Sequence, residues 1–149
     1  MRRFAVLIIT ATVFASCASS QTPKIPEPAI GLEQVVGPGD LGYPYGPMEV
    51  KYNLAVQNNA PHEITLIRVD IQTINPAGGA YSLRRAFYNF RQPIPPNSIG
   101  VVTFWAKAFS WGRGARETEP VSIRGIVYFE SPKGTFQKVF ITELSQYGR

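Results

Sequence analysis

Short segments in which apolar and polar residues alternate follow one another along most of this chain, and clusters of Pro, Gly and Asn separate them. The clearest segment places four apolar side chains on one face: Val50, Tyr52, Leu54 and Val56. A period of two is the pattern of a β-strand with one buried face, whereas helical spacing with end caps is missing from the sequence. This pattern restricts the chain to folds built from short strands.

More strands are predicted over residues 64–73, 81–90, 99–108, 121–130 and 135–144. The chain has 149 residues, which is the length of one domain, and its 13 Gly and 13 Pro suit turns between strands. Short strands at regular spacing are typical of a sandwich or a small barrel. We therefore predict an all-β fold, a single immunoglobulin-like antiparallel β-sandwich of about 6–8 strands over residues 48–149.

Two short motifs in this region are shared with known sandwiches. One is the strand-turn-strand segment 52–73, with Asn-Asn-Ala-Pro at 58–61 between its strands, and the other is Pro-Pro-Asn-Ser at 95–98 before an apolar strand. The arrangement resembles immunoglobulin-like domains of bacterial envelope proteins and late-embryogenesis-abundant-like sandwiches. The resemblance implies a fold and no particular function.

The first residues have the layout of a secretory signal peptide. Arg2 and Arg3 precede an apolar stretch over residues 4–14, and small residues close it before Cys17. An apolar run of about 11 residues spans roughly 16 Å as a helix, against a hydrocarbon core of about 30 Å, so it is too short for a comfortable permanent span. We predict that residues 1–16 are a signal peptide.

The junction Phe14-Ala15-Ser16-Cys17 resembles the bacterial lipobox. The resemblance implies that the Cys17 sulfur receives a diacylglycerol, that the chain is cut before Cys17, and that the new amine receives a fatty acyl chain. Several acyl chains give stable membrane anchoring where one gives only marginal binding. The alternative is cleavage by ordinary signal peptidase, which would discard Cys17 and release a soluble secreted protein.

Residues 17–47 are rich in Pro and Gly and are predicted to form a tether behind the lipidated cysteine. Residue 18 is Ala and not Asp, which by the same resemblance favours the outer membrane of a Gram-negative cell, with the protein facing the periplasm. The expected location is therefore the cell envelope, and the membrane is a partner through the lipid anchor.

The charge and the titratable residues argue against several classes of function. The chain has a net charge of +5, and removal of Arg2 and Arg3 leaves 13 basic against 10 acidic residues, or +3. This balance is mild and, with export, gives no reason to expect nucleic-acid binding. His62 is the only histidine, and neither a metal site nor a catalytic triad can be assembled around it from the sequence. We predict no enzyme activity, no metal and no cofactor.

Two segments combine aromatic rings with arginines. The Gly-rich stretch 110–116 contains Trp111, Arg113 and Arg116, which is the composition of a binding hot spot, although Trp111 could instead cover the end of the core. The stretch 81–91 contains three more candidate binding residues: Arg84, Arg85 and Tyr88. The alternative interpretation of this stretch is a strand whose rings lie in the core and whose arginines lie at the sheet edge.

Together these features predict a non-enzymatic, lipid-anchored envelope protein whose sandwich interacts with another envelope component, either a protein or a glycan. The alternative is a small-ligand or glycan-binding module that uses the loop at Trp111. The sequence leaves the identity of the partner open.

Overall fold

A computed structural model describes residues 26–146 of the protein, which form two four-stranded antiparallel sheets packed against each other. The prediction of a single all-β antiparallel sandwich is confirmed, and its eight strands lie within the predicted number. Cys17 and the signal peptide lie outside the described residues. The strands are β1 (Ala29–Val36), β2 (Tyr45–Gln57), β3 (Ile64–Thr73), β4 (Tyr81–Leu83), β5 (Ala86–Ile94), β6 (Ile99–Trp111), β7 (Val121–Ser131) and β8 (Gly134–Leu144).

Sheet A has the strand order β1-β2-β6-β4, and sheet B has the order β5-β3-β7-β8. The two long central strands of sheet A, β2 and β6, pair without a break from Tyr45 opposite Trp111 to Gln57 opposite Ile99. In sheet B, a bulge between Leu66 and Arg68 shifts the register of β3 against both of its neighbours. Every side chain that alternates along these strands therefore belongs either to the core or to an outer face.

The core lies between the two sheets and is filled by the inward side chains of every strand. The alternating segment that begins at Val50 contributes its whole apolar face, as its period of two predicts. The largest fully buried side chains are Tyr52, Tyr81, Phe129, Leu54, Ile64 and Leu66. Their burial removes apolar surface from water, at about 25 cal/mol per Å², and is the main source of stability in a fold without disulfides.

The sandwich begins closer to the N-terminus than the predicted boundary at residue 48. Residues 29–36 form β1, an edge strand of sheet A, and Tyr45 already belongs to β2. Residues 29–36 can form a strand because apolar and outward-facing residues alternate there, with Leu32 buried and Gly31 and Glu33 facing outward. The proline before this strand is tolerated because the strand lies at the edge of the sheet. The tether predicted over residues 17–47 is thus shorter at its C-terminal side.

The two ends of the sandwich are different. The chain enters at Ala29, beside the turns 58–63 and 95–98 and the β7–β8 hairpin, and we call this the entry end. The opposite end contains the loops 37–44, 74–80 and 112–120, and we call it the loop end. Since β2 has 13 residues that rise about 3.3 Å each, the two ends are about 40 Å apart.

Asn58 joins the two turns of the entry end. Its amide nitrogen donates to the carbonyl oxygens of His62, Ile94 and Pro95 at 2.9–3.0 Å, and its side-chain oxygen accepts from the Ala60 N–H at 2.9 Å. The side chain is fully buried. The two motifs shared with other sandwiches, at 58–61 and 95–98, therefore meet at this one amide.

Candidate binding site

Three aromatic rings lie together on the outer face of sheet A at the loop end. Tyr45 begins β2 directly opposite Trp111, the last residue of β6, and Phe109 lies two residues earlier on the same face. The ring centroids of Phe109 and Trp111 are 5.1 Å apart at an interplanar angle of 62°, and those of Tyr45 and Phe109 are 5.6 Å apart at 80°. We call these three residues the ring cluster.

The ring cluster is exposed on one side. Tyr45 is 77% exposed, whereas Phe109 and Trp111 are half-buried. The edge-to-face contacts hold the rings at steep angles, so they form a stepped apolar surface and not a flat one. Trp111 does not cover the end of the core, because it lies on the outer face of sheet A, where it packs against Phe109 and presents part of its ring to solvent.

A glycine ends β6 at the point where the rings meet. Gly112 is buried and has a φ of +77°, and a Cβ at this position would lie 3.2 Å from the Cβ of Tyr45. Only glycine adopts this backbone conformation without strain and leaves room for the tyrosine. The sequence Trp-Gly therefore sets both the end of the strand and the close approach of Tyr45.

Arg116 connects the ring cluster to a second loop. Its guanidinium lies 5.9 Å from the centroid of the Trp111 ring and donates a hydrogen bond to the Ala77 carbonyl. Glu119 strengthens the same connection by accepting from the Gly79 N–H at 3.0 Å. The loops 74–80 and 112–120 are thereby held together beside the rings, with a cation at the rim.

One polar atom of the ring cluster has no partner. The Nε1–H of Trp111 is buried and finds no hydrogen-bond acceptor among residues 26–146. A buried donor without a partner costs about 1–3 kcal/mol, so native structures rarely leave one unused. The site therefore holds an unsatisfied donor beside an exposed apolar surface. Arg113 is exposed in the same loop.

Trp105 continues the aromatic row along β6 towards the middle of the sheet. It is 48% exposed, and the Lys51 ammonium lies 5.6 Å from its ring centroid. Lys107 stands between Trp105 and the ring cluster, opposite Glu49 in the register. The outer face of sheet A thus offers a second ring on the same line.

The other three candidate residues do not join this site. Arg85 lies at the far side of the molecule with its guanidinium 3.6 Å from the carboxylate of Asp70 in sheet B, and Arg84 is exposed in the link between β4 and β5. Tyr88 points into the sandwich, where its ring is tilted against Phe104 with centroids 4.6 Å apart. The proximity of these three residues to aromatic residues in the sequence did not indicate which sheet each would join or whether its side chain would face the core or solvent.

Among the described residues, Asp70 is the buried charged side chain, and its burial could not be predicted from the sequence. It lies on the outer face of sheet B but is only 4% exposed, because Arg68 covers it with hydrogen bonds of 2.5 and 2.7 Å. The Arg68 guanidinium in turn lies 4.7 Å from the Phe87 ring centroid and 5.1 Å from that of Tyr128. These hydrogen bonds hold the pKa of the Asp70 carboxyl below its usual value. The arrangement is an ion pair whose arginine lies against two rings and stays 40% exposed, while its carboxylate is buried.

The chain matches no family model and no curated protein. Among solved structures it is similar to a Northeast Structural Genomics Consortium target, at 15% identity and a TM-score of 0.50, over 82% of this chain and 87% of that one. A protein from Archaeoglobus fulgidus is similar at 10% identity and a TM-score of 0.49, over 81% of this chain and 96% of that one. At such identities the likeness concerns the fold alone.

The described residues add two further findings. Between residues 26 and 146, His, Cys, Asp and Glu side chains do not gather in groups of three or more that could hold a metal ion. In the same part of the chain, none of the helical structure is long and apolar enough to cross a membrane.

Proposed function

We propose that this protein is a non-enzymatic, lipid-anchored component of a bacterial cell envelope that binds another envelope component through the ring cluster. The observation that supports the proposal is the position of Tyr45, 77% exposed, at the loop end, which is opposite to the end where the chain enters the sandwich. The proposed anchor at Cys17 would adjoin the entry end, so the rings would be displayed away from the membrane.

Distances are consistent with this orientation. Pro26 lies nine positions after Cys17, and a chain of that length reaches at most about 30 Å when extended. The strands of the sandwich add about 40 Å between the entry end and the loop end. The ring cluster can therefore stand well beyond the lipid head groups, where a partner in the periplasm could reach it.

The chemistry of the ring cluster suits recognition. Tyrosine, tryptophan and arginine are the side chains most enriched among binding hot spots, because each offers a large surface with a polar end. Here Tyr45 makes an edge-to-face contact with Phe109, which itself packs against Trp111, and this contact reduces the side-chain freedom that binding would remove. Arg116 adds a charged donor at the rim.

A glycan or another small ligand is the alternative partner, and one observation favours it. The C–H face of a sugar ring packs well on an aromatic ring, and its hydroxyl oxygens accept hydrogen bonds. Tyr45 offers a largely exposed ring, and the exposed guanidinium of Arg116 beside Trp111 offers donors to such oxygens.

The proposal can be tested by photocrosslinking in the native membrane. A benzophenone amino acid replaces Tyr45 in the full chain, and the matched control carries it at Phe87, a ring that is 60% exposed on the outer face of sheet B. We expect a discrete adduct from position 45 alone, and its loss when Arg116→Ala is added. Identical adducts from both positions, or none from position 45, would contradict the proposal.

The nature of the adduct separates the two partner classes. An adduct that protease degrades to the size of a peptide indicates a protein partner, whereas one that shrinks only with glycan-degrading enzymes indicates a glycan. The melting temperature of the Arg116→Ala variant serves as a control, since this exposed side chain should change it little.

A further inference from the structure

The outer edge of β8 is the least protected sheet edge between residues 26 and 146. The edge strand β4 has three residues, β5 contains Pro93, which lacks an N–H, and β1 is interrupted by a register shift between Gln34 and Val36. By contrast, β8 has 11 residues, contains no proline and pairs with β7 without a shift from Ser131 to Val121. Open edges of this kind readily pair with another strand.

The hairpin determines which backbone groups of β8 face outward. Its two-residue loop is closed by the pair Ser131 and Gly134, which in such hairpins exchange hydrogen bonds. Even-numbered residues of β8 therefore direct their N–H and C=O groups to β7. The odd-numbered residues from Thr135 to Glu143 direct theirs to the open edge, where sheet B has no further strand among the described residues.

Apolar side chains accompany this row of backbone groups. Val139 is 43% exposed and Ile141 is 67% exposed, and both lie on the outer face of sheet B. Between them, Phe140 points inward over Gly125, where a Cβ would overlap its ring. Natural edge strands usually carry charges at such positions, and β8 has apolar ones in its middle.

A groove of about 440 Å³ runs beside the first half of β8. Residues 26–28 form its opposite wall, and Glu27 pairs with Lys138 across it. Lys133 and Phe136 also line the groove, and the surface of the groove is mainly apolar. The groove leaves room along the β8 edge for an extended segment.

We propose that two copies of this chain pair through β8 as antiparallel strands, related by a two-fold axis at Phe140. Paired residues must share a face, so the sum of their numbers is even. The register centred on Phe140 sets Val139 opposite Ile141 of the second copy, and this match occurs twice by symmetry. Shifting the register by one step in either direction would set one of these two residues against itself and lose both matches.

Charge also favours this register. Gln137 faces Glu143 of the second copy on the outer face of sheet B, so the acidic residue of β8 meets an uncharged side chain. No residue of β8 meets a like charge, since its only charged residues are Lys138 and Glu143. Sheet B would then continue across the dimer as one eight-stranded sheet.

The oligomeric state of the full chain in detergent tests the proposal by sedimentation in density-matched buffer. We expect a concentration-dependent dimer, and a dissociation constant at least tenfold higher for Ile141→Lys. The matched control is Ile99→Lys, since Ile99 is 66% exposed on the outer face of sheet A. A chain that stays monomeric, or a dimer lost with Ile99→Lys and retained with Ile141→Lys, would overturn the proposal.

Disulfide trapping gives a second test that does not depend on destabilising β8. In a Cys17→Ala background, mixing chains with Val139→Cys and chains with Ile141→Cys should give crosslinked dimers under mild oxidation. Opposed residues have Cα atoms about 5.5 Å apart, within the range of a disulfide, whereas two copies of residue 139 would be more than about 8 Å apart. Crosslinking of Val139→Cys alone, or none in the mixture, would contradict the register. Neither test involves the ring cluster.

Discussion

Replacing Asn58 with alanine removes the amide that joins the two turns of the entry end, and we expect a large loss of stability. The buried carbonyl of Ile94 and the buried N–H of Ala60 would both lose their partner. Each buried group left unsatisfied costs about 1–3 kcal/mol, so the variant should lose about 2–5 kcal/mol. Since small domains have only about 5–15 kcal/mol in total, this loss approaches the margin for folding.

Urea unfolding followed by circular dichroism measures the effect, with the free energy of unfolding extrapolated to water and the m-value compared between variants. The matched control is Asn59→Ala, because Asn59 is adjacent, exposed and makes one hydrogen bond, to the Glu27 carbonyl at 3.0 Å. We expect the control to lose about 0.5 kcal/mol. If Asn58→Ala cost less than about 1 kcal/mol, or no more than the control, the assigned role of this amide would be refuted.

Three further predictions concern the core and the outer face of sheet B. Hydrogen bonds to Arg68 lower the pKa of Asp70, so this pair stabilises the fold above the unfolded pKa near 4. The contribution is lost as the pH falls through the lower folded pKa. NMR titration of the Arg68→Gln variant should show that the pKa of the Asp70 carboxyl rises, and an unchanged pKa would contradict this. Burial raises the pKa of Tyr52 well above 10, so the contribution of the neutral phenol to stability is complete below about pH 10. This contribution is lost at higher pH, because the tyrosine of the unfolded chain ionises first. The Tyr52→Phe variant should therefore lose less stability than the wild type as the pH rises above about 10. Gly125→Ala should cost about 1–3 kcal/mol by overlap with the Phe140 ring, and the cost should shrink in a Phe140→Leu background; equal costs in both backgrounds would show that the ring is not responsible.

The strands could be predicted because each is a local pattern. The period of two from Val50 to Val56 assigns a buried and an exposed face without any knowledge of neighbours, and the hairpin loop at 131–134 follows from its own composition. The domain boundary was predicted too far along the chain for the same reason, since the prolines and glycines on both sides of Ala29–Val36 make a short edge strand look like part of a tether.

The ring cluster could not be assembled from the sequence. Trp111 and Arg116 are close in sequence, and their combination was predicted to be site-like. Tyr45 is 66 positions away from Trp111 and adjoins it only through the register between β2 and β6. Register depends on which strands pair, and no local pattern encodes it. Tyr88 was included among the candidates because the pairing of its strand could not be predicted either. The chain passes from sheet A to sheet B before Tyr88, and this passage directs the ring inward, against Phe104.

The pairing of β2 with β6 also has a consequence for the speed of folding. Gln57 and Ile99 are 42 positions apart in the sequence, and Tyr45 and Trp111 are 66 positions apart. The paired residues of β3 and β7 are separated by 50 to 65 positions, from Thr73 with Ile123 to Thr65 with Glu130. Chains dominated by such distant pairings fold in milliseconds to seconds, because loop closure must come before the contacts that reward it. If the chain is exported from its N-terminus, as proposed, this edge of β2 can begin to pair only after Ile99 has emerged and is fully paired only after Trp111 has emerged. During this interval the β1–β2 hairpin is the segment most open to mispairing with another chain.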